Sequence, residues 1–192
     1  MHQIIVSDIF GKTQALNEIA AGFAETVEIF DPYNAQVMDF KDETQAYVYF
    51  SSEVGLADYA QQLLKKLRTL SGEISLLGFS VGASAIWKIA GQTELKNVAG
   101  AKCFYGSQIR HYTDINPVFP VQAIFPSTEL HFCVSQLIAD LSGKKNVQIH
   151  QVTSEHGFMN RYSQNYDPVV YRQFIDALYN VPFNQPIQVN AF

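Results

Sequence analysis

The sequence predicts an α/β protein in three layers, with a mostly parallel sheet of about six to seven strands between two layers of helices. Short apolar segments alternate along the chain with segments whose apolar residues recur at helical spacing. Alternating strands and helices require right-handed crossovers, which place helices on both faces of a parallel sheet. The 192 residues contain no repeat, low-complexity tract or linker, so we expect one domain over residues 1–192.

The predicted strands are short runs rich in apolar and β-branched residues. They cover residues 3–6, 26–30, 74–79, 101–105, 121–125 and 147–152. Residues 35–45 are polar and have no assignable pattern. The apolar residues 46–50 that follow them predict a further strand or an extended segment.

The predicted helices show apolar residues at intervals of three and four. They cover residues 16–23, 56–70, 85–90, 134–141 and 168–178. Gly72, Gly91 and Gly143 are the expected C-terminal stops of three of them. Asp167 is the expected N-cap of the last helix, since Pro168 then occupies its first turn.

The net charge and several sequence patterns argue against some classes of protein. The net charge of -5 argues against nucleic acid or an anionic membrane as the main partner. The first residues lack the basic and long apolar regions of a secretory signal, and no later apolar run could span a bilayer, so we expect a cytoplasmic protein. Cys103 and Cys133 belong to no Cys-x-x-Cys pair, which favours two reduced, structural thiols over a metal site or a single disulfide bridge, the alternative that stays open.

The stretch Gly78-Phe79-Ser80-Val81-Gly82 joins a predicted strand to a helical pattern. In a nucleophile elbow, a serine occupies such a sharp turn, and the flanking positions must be small because other main chain passes close by. The turn also points the hydroxyl at a helix N-terminus, where free N–H groups favour developing negative charge. Ser80 is therefore a candidate nucleophile. The alternative is a glycine-rich strand-to-helix turn in which the serine has no catalytic role.

Two further candidates follow the carboxyl ends of predicted strands, where reactive groups collect in parallel sheets. Glu129 follows the strand that ends at residue 125, and His156 follows the strand that ends near residue 152. Ser80, Glu129 and His156 are then nucleophile, acid and base in chain order. Asp114 remains open as the acid, whereas Glu155 is a poorer choice because adjacent side chains in an extended segment point apart.

With these residues in place, the chain resembles the dienelactone hydrolase family of the α/β-hydrolase superfamily, as a small, trimmed member. The resemblance extends over most of residues 3–180 and rests on short motifs in the same order: Asp8-Ile9-Phe10-Gly11, Gly78-Phe79-Ser80-Val81-Gly82, Phe104-Tyr105-Gly106, Ile124-Phe125-Pro126-Ser127-Thr128-Glu129 and His156-Gly157-Phe158. It implies an α/β-hydrolase fold and a catalytic triad of Ser80, His156 and Glu129.

Three positions depart from that family. Ser80 stands where dienelactone-cleaving members have cysteine, and Glu129 stands where they usually have aspartate. The arginine that binds the substrate carboxylate in such members would fall at Asn160, and Arg161 comes one residue later. Serine and glutamate are ordinary in other α/β hydrolases, so these departures bear on the substrate more than on activity.

The oxyanion hole of this fold takes one N–H from the residue after the nucleophile and one from a loop after an earlier strand. Here these are the backbone N–H groups of Val81 and, by resemblance, Ile9. Asp8 either modulates the nucleophile, as an acidic residue does at that position in the family, or caps the following helix.

Several side chains near these motifs have two interpretations. Aromatic residues there either form an apolar acyl pocket or simply pack in the core: Phe10, Tyr105, Tyr112, Phe158 and Tyr162. His131 either lines the same pocket or is exposed.

The sequence thus predicts a cofactor-free, metal-free serine hydrolase that acts on a small-molecule ester, thioester or lactone through an acyl-enzyme. One alternative is a catalytically silent α/β-hydrolase domain with a binding or scaffold role. Another is an acyltransferase or peptidase with the same triad. If the chain forms a homodimer, an exposed helix face or a sheet edge is the expected contact.

Overall fold

The computed structural model describes residues 1–188. Within them, one sheet has six strands, and every pair of neighbours is parallel. The strands are β1 (His2–Val6), β2 (Val27–Phe30), β3 (Ile74–Phe79), β4 (Val98–Phe104), β5 (Val121–Phe125) and β6 (Val147–Gln151). Their order is β2-β1-β3-β4-β5-β6, so the predicted parallel sheet is confirmed and β3 lies inside it.

Helices cover both faces of the sheet. They are α1 (Gln14–Ala21), α2 (Glu43–Glu53), α3 (Gly55–Arg68), α4 (Val81–Ile89), α5 (Val134–Leu141) and α6 (Pro168–Asn180). One apolar core cluster joins the sheet to α2, α3, α4 and α5, and a second joins it to α1 and α6. This arrangement is the three-layer α/β-hydrolase fold, and it confirms the predicted fold class.

Side-chain caps define where several helices begin. Thr13 Oγ1 accepts a hydrogen bond from Leu16 N–H (3.2 Å) at the start of α1. Asp167 accepts from two N–H groups at the start of α6, with Pro168 in the first turn, as predicted. Such caps satisfy N–H groups that have no partner within their helix.

The interpretation of residues 46–50 as a strand or extended segment was wrong, because they lie inside α2. Asp42 accepts a hydrogen bond from Gln45 N–H (2.8 Å) and so begins a helix just before the apolar run. Ala46 and Phe50 are both buried, and their spacing of four residues places them on one helix face. A short run of apolar and aromatic residues fits either structure, and only the cap distinguishes them.

The sheet positions the candidate residues at one edge. All six residues of β3 are buried, and Ser80 follows directly at its carboxyl end. The loops after β1, β4, β5 and β6 open at the same edge because the strands are parallel. Among residues 1–188, no helix combines the length and the apolar character that crossing a membrane requires.

Candidate active site

Ser80 occupies a strained turn between β3 and α4. Its φ of 51° and ψ of -114° lie in a region that residues other than glycine rarely adopt. The Ser80 N–H donates to the carbonyl oxygen of Phe104 (2.9 Å), which ties the turn to the end of β4. The Ser84 hydroxyl donates to the Ser80 carbonyl oxygen (3.1 Å) from the first turn of α4. These contacts hold the serine hydroxyl at the edge of the sheet.

The glycines on either side of Ser80 are required by close packing. A Cβ atom at Gly82 would overlap the backbone carbonyl groups of Val6 and Ser7 at the end of β1. A Cβ atom at Gly78 would lie 2.8 Å from the Ala83 backbone. Atoms of the main chain cannot move aside as a flexible side chain can, so the Gly-x-Ser-x-Gly spacing follows from the tight strand-to-helix turn.

The structure brings Ser80, His156 and Glu129 together in one chain of hydrogen bonds. Ser80 Oγ lies 3.1 Å from His156 Nε2, and His156 Nδ1 lies 2.6 Å from Glu129 Oε1. The side chain of Glu129 is 10% exposed and that of His156 is 22% exposed, so the acid is the more buried partner. A proton on Nδ1, donated to Glu129, leaves Nε2 free to accept the serine proton.

Glu129 is the acidic residue that contacts His156, although the sequence also left Asp114 open. Glu129 lies in a turn after β5, where it forms an antiparallel bridge with Phe132. Asp114 is exposed in a different loop, and Glu155 is exposed beside the histidine. The loop that carries Glu129 and the loop that carries His156 are hydrogen-bonded to each other near the ends of their strands. Ser127 N–H donates to the Ser154 carbonyl oxygen (2.9 Å).

The loop that carries His156 is fixed from two sides. Asn165 Nδ2 donates to the His156 carbonyl oxygen (3.0 Å). The imidazole packs against the buried ring of Tyr105, with 5.0 Å between the ring centroids. Gly157 follows with a φ of 86°, which lets the chain turn sharply after the histidine. Contacts of this kind restrict the imidazole to an orientation that faces Ser80.

Asp8 lies in the loop after β1 and contacts the loop after β6. Its carboxylate accepts hydrogen bonds from the Phe10 N–H (2.9 Å) and from Asn160 Nδ2 (2.6 Å). Burial raises the pKa of Asp8 to about 6, although both hydrogen bonds act in the opposite direction. The neighbouring Arg161 instead pairs with Glu18 on α1 (2.5 Å), so Asn160 is the side chain that faces Asp8 here.

Tyr33 was not identified from the sequence, yet it anchors the loop after β1. Its hydroxyl donates to the Ile9 carbonyl oxygen (2.7 Å). In the same loop, the Gly11 N–H donates to the Asp8 carbonyl oxygen (3.2 Å). The peptide groups on both sides of Ile9 are therefore held in place. No local pattern marks Tyr33, because its contact joins two turns that are distant in sequence.

The aromatic residues near the site have different environments. Phe10 is nearly buried and stacks on the half-exposed ring of Tyr162, with 5.6 Å between centroids. Phe158 is fully buried in the core, where its ring contacts Tyr105 and Phe174. A small cavity of about 20 Å³ lies beside Asp8, and Tyr105 is among the residues that line it.

The remaining sequence candidates lie apart from this cluster. His131 is exposed. The Tyr112 carbonyl oxygen accepts a hydrogen bond from the buried indole of Trp87 (2.8 Å). Cys103 is buried and Cys133 exposed, and both are free. Within residues 1–188, no group of three or more His, Cys, Asp or Glu side chains is arranged to hold a metal ion.

Solved structures with a similar fold include hydrolases. A dienelactone hydrolase-like promiscuous phosphotriesterase, P91, from metagenomic libraries superposes with a TM-score of 0.62 and 14% identity over 94% of this chain and 84% of that chain. Est1E from Butyrivibrio proteoclasticus, with ferulic acid bound, superposes with a TM-score of 0.60 and 12% identity over 92% of this chain and 87% of that chain. At this level of identity, the similarity establishes the fold.

A bacterial protein is more similar to this chain in sequence than these solved structures are. No family model matches the chain. The uncharacterized protein YczH of Bacillus subtilis (strain 168) is 32% identical over 148 residues, which cover 76% of this chain and 72% of YczH. The chain therefore belongs to the same protein family as YczH and has the α/β-hydrolase fold.

Proposed function

We propose that the protein is a serine hydrolase of the dienelactone-hydrolase-like type, which cleaves a small ester, thioester or lactone through an acyl-enzyme. The observation that carries this proposal is the continuous chain of hydrogen bonds from Ser80 through His156 to Glu129. Three side chains from separate loops meet in the arrangement that activates a serine. The similarity in fold to P91, which is dienelactone hydrolase-like, agrees with this chemistry.

In the first step, the Ser80 hydroxyl attacks the carbonyl carbon of the substrate. His156 Nε2 takes the hydroxyl proton as the new oxygen–carbon bond forms. The imidazole then carries a positive charge, and the carboxylate of Glu129 at Nδ1 stabilises it. The histidine returns its proton to the leaving group, and the serine remains acylated.

Two backbone N–H groups are the proposed donors to the oxyanion. Val81 is the first residue of α4, where a backbone N–H has no partner within the helix. The N–H of Ile9 makes no hydrogen bond within residues 1–188, and the peptide groups around it are fixed by Tyr33 and Gly11. Donors that are already oriented stabilise developing charge without reorganisation, so a rigid loop favours catalysis.

In the second step, water replaces the leaving group. His156 removes a proton from the water, which attacks the acyl carbon. The bond from that carbon to Ser80 Oγ then breaks, His156 returns the proton to the serine oxygen, and the acid product leaves. Ser80 and His156 are both partly exposed, which allows water to reach the acyl-enzyme.

A panel of p-nitrophenyl esters with acetyl, butyryl and octanoyl groups tests the proposal. We expect the wild type to cleave at least one of these esters and Ser80→Ala to lower kcat by at least about a thousandfold. Ser135→Ala, which removes an exposed serine hydroxyl on α5, is the matched control and should retain activity. A folded wild-type protein that cleaves none of these esters would favour the silent-domain alternative.

A further inference from the structure

A second cavity lies at the edge of the sheet opposite Ser80. Its volume is about 270 Å³. Pro120, which precedes β5, and Lys145 and Asn146, which precede β6, line one side of it. Residues 183–186, which follow α6, line the other side. Because Ser80 lies at the carboxyl ends of the strands and this cavity at their amino ends, the proposed catalytic mechanism does not use it.

The cavity contains a buried cation. The side chain of Lys102, in the middle of β4, lines it, and the residue is only 3% exposed. Its ammonium donates to the Phe183 carbonyl oxygen (2.5 Å) and lies 5.3 Å from the centroid of the Phe183 ring. An ammonium has three N–H donors, and within residues 1–188 no carboxylate pairs with this one.

In the described part of the chain, the neighbours of Lys102 supply no negative charge to balance it. Gln122 is its register partner on β5, but both ends of that amide are used. Gln122 Nε2 donates to the Ile187 carbonyl oxygen (2.7 Å), and Gln122 Oε1 accepts from the Ile187 N–H (2.9 Å). A buried charge is costly unless it is paired and hydrogen-bonded, and among residues 1–188 this ammonium has a hydrogen bond but no counter-charge. Burial lowers the pKa of Lys102 to about 8, which still leaves the amine mostly protonated at neutral pH.

The rest of the lining suits an anion with an apolar body. The charged residues that line the cavity are Lys102 and Lys145, and no Asp or Glu is among the lining residues in the described part of the chain. Phe183 and Pro186 are the apolar residues of the segment that lines one side. Mixed linings with a few charged groups are typical of small-molecule sites.

We propose that this cavity binds a small organic carboxylate, with its carboxylate group on the Lys102 ammonium and its apolar body against Phe183. Such a ligand supplies the missing counter-charge and accepts the unused N–H donors of the lysine. A site of this kind is separate from the acyl chemistry proposed at Ser80, and its occupancy does not require hydrolase activity.

Benzoate and benzamide are suitable probes, because they share a flat apolar ring and differ in charge. Binding is measured by titration of the ¹⁵N-labelled full chain, with amide shifts followed by NMR. We expect benzoate to shift the amide signals of Val121, Val147 and Asn184, and benzamide to leave them in place. Lys102→Met should weaken benzoate binding on the order of tenfold or more, because it removes the buried partner of the carboxylate.

Two further variants serve as controls. Lys145→Met removes an exposed charge and should weaken binding less than Lys102→Met does, because water screens exposed charges. Lys12→Met removes an exposed lysine that does not line the cavity and should leave binding unchanged. Lys102→Met replaces a buried amine with an apolar side chain of similar length, so we expect it to fold, and its thermal unfolding curve checks this.

Three results would overturn the proposal. One is the absence of any benzoate-dependent shift in the wild-type chain. Another is a set of shifts confined to the surroundings of Ser80 and His156, which would mean that benzoate binds only as a product-like acid. The third is equal benzoate affinity in the wild type and in a folded Lys102→Met variant.

Discussion

Asn160 donates a 2.6 Å hydrogen bond to the carboxylate of Asp8 and so joins the loop after β6 to the loop after β1. The first of these loops carries His156, and the second carries Ile9, the proposed donor to the oxyanion. One side-chain contact thus connects the base to the oxyanion hole. Asn160 is itself held, because its Oδ1 accepts from the Tyr162 N–H (2.8 Å).

Asn160→Ala tests this link. The variant should lower kcat on the order of tenfold, because the two loops lose their fixed separation and the reacting groups are less well aligned. KM should change less, since no substrate contact is removed. Steady-state ester hydrolysis measures both constants. Asn180→Ala, at the exposed end of α6, is the control, and an Asn160→Ala enzyme with wild-type kcat would show that the contact has no positioning role.

Asp8 should make stability depend on pH. Its folded-state pKa of about 6 lies above the ordinary value of 3.8, so the folded chain binds this proton more tightly than the unfolded chain does. The stabilising contribution of the protonated form is complete below the unfolded pKa and is lost as pH rises through the folded pKa. The free energy of unfolding of the wild type, relative to Asp8→Asn, should therefore fall by roughly 2 kcal/mol between about pH 4 and about pH 7.

Urea unfolding at a series of pH values measures this difference. Asp176→Asn removes an exposed carboxylate on α6 and reports the pH dependence that loss of a charge alone produces. If the free energy of unfolding of the wild type, relative to Asp8→Asn, instead rises with pH, burial is not the dominant cause of the shift in the Asp8 pKa.

Glu129→Gln tests the identity of the acid. A glutamine keeps the shape of the side chain but cannot stabilise the imidazolium, and it favours the wrong tautomer of His156. We expect kcat to fall by about two to four orders of magnitude, with little change in KM. Glu155→Gln changes a carboxylate next to the same histidine and is the matched control. Its kcat should be close to that of the wild type. If kcat falls more in Glu155→Gln than in Glu129→Gln, Glu155 and not Glu129 is the acid.

Tyr33→Phe tests the rigidity of the proposed oxyanion loop. The variant keeps the ring but loses the hydrogen bond to the Ile9 carbonyl oxygen, which is worth about 1 kcal/mol. We expect kcat to fall several-fold while the fold is retained. Tyr47→Phe, which alters an exposed tyrosine on α2, controls for loss of a hydroxyl. An unchanged kcat in Tyr33→Phe would mean that the loop is held without this bond.

Gly82→Ala should destabilise the fold by about 1–3 kcal/mol or more, because the new methyl group would meet the carbonyl groups of Val6 and Ser7. Thermal unfolding measures the loss. Gly91→Ala is the control, since its Cβ would lie 3.3 Å from the Cγ2 methyl group of Ile115 and 3.7 Å from the nearest backbone atom, the Asn116 carbonyl oxygen. Equal stability of the two variants would show that β1 moves aside easily.

Much of the fold is predictable because its signals are local. The apolar run of β3 and the cap at Asp167 each predict an element from neighbouring residues alone. The segment 46–50 was assigned wrongly because its helix depends on Asp42, a polar residue in a stretch without periodicity. Short apolar runs remain ambiguous until such a cap is recognised.

The candidate site was predictable in part for a topological reason. A parallel sheet brings the residues after its strands to one edge, so Ser80, Glu129 and His156 could be selected by their positions after strands. The contacts of Tyr33 and Asn160 could not be selected in this way. Each joins loops that are distant in sequence, and their geometry depends on how the whole chain packs.

The most direct test of the central claim is covalent labelling with a fluorophosphonate probe, followed by mass-spectrometric mapping of the modified residue in wild type, Ser80→Ala and His156→Ala. An activated serine reacts with such a probe, whereas an ordinary serine hydroxyl does not. We expect labelling at Ser80 alone and its loss in both variants. A folded wild-type protein that is not labelled, or one that is labelled equally well without His156, would contradict it.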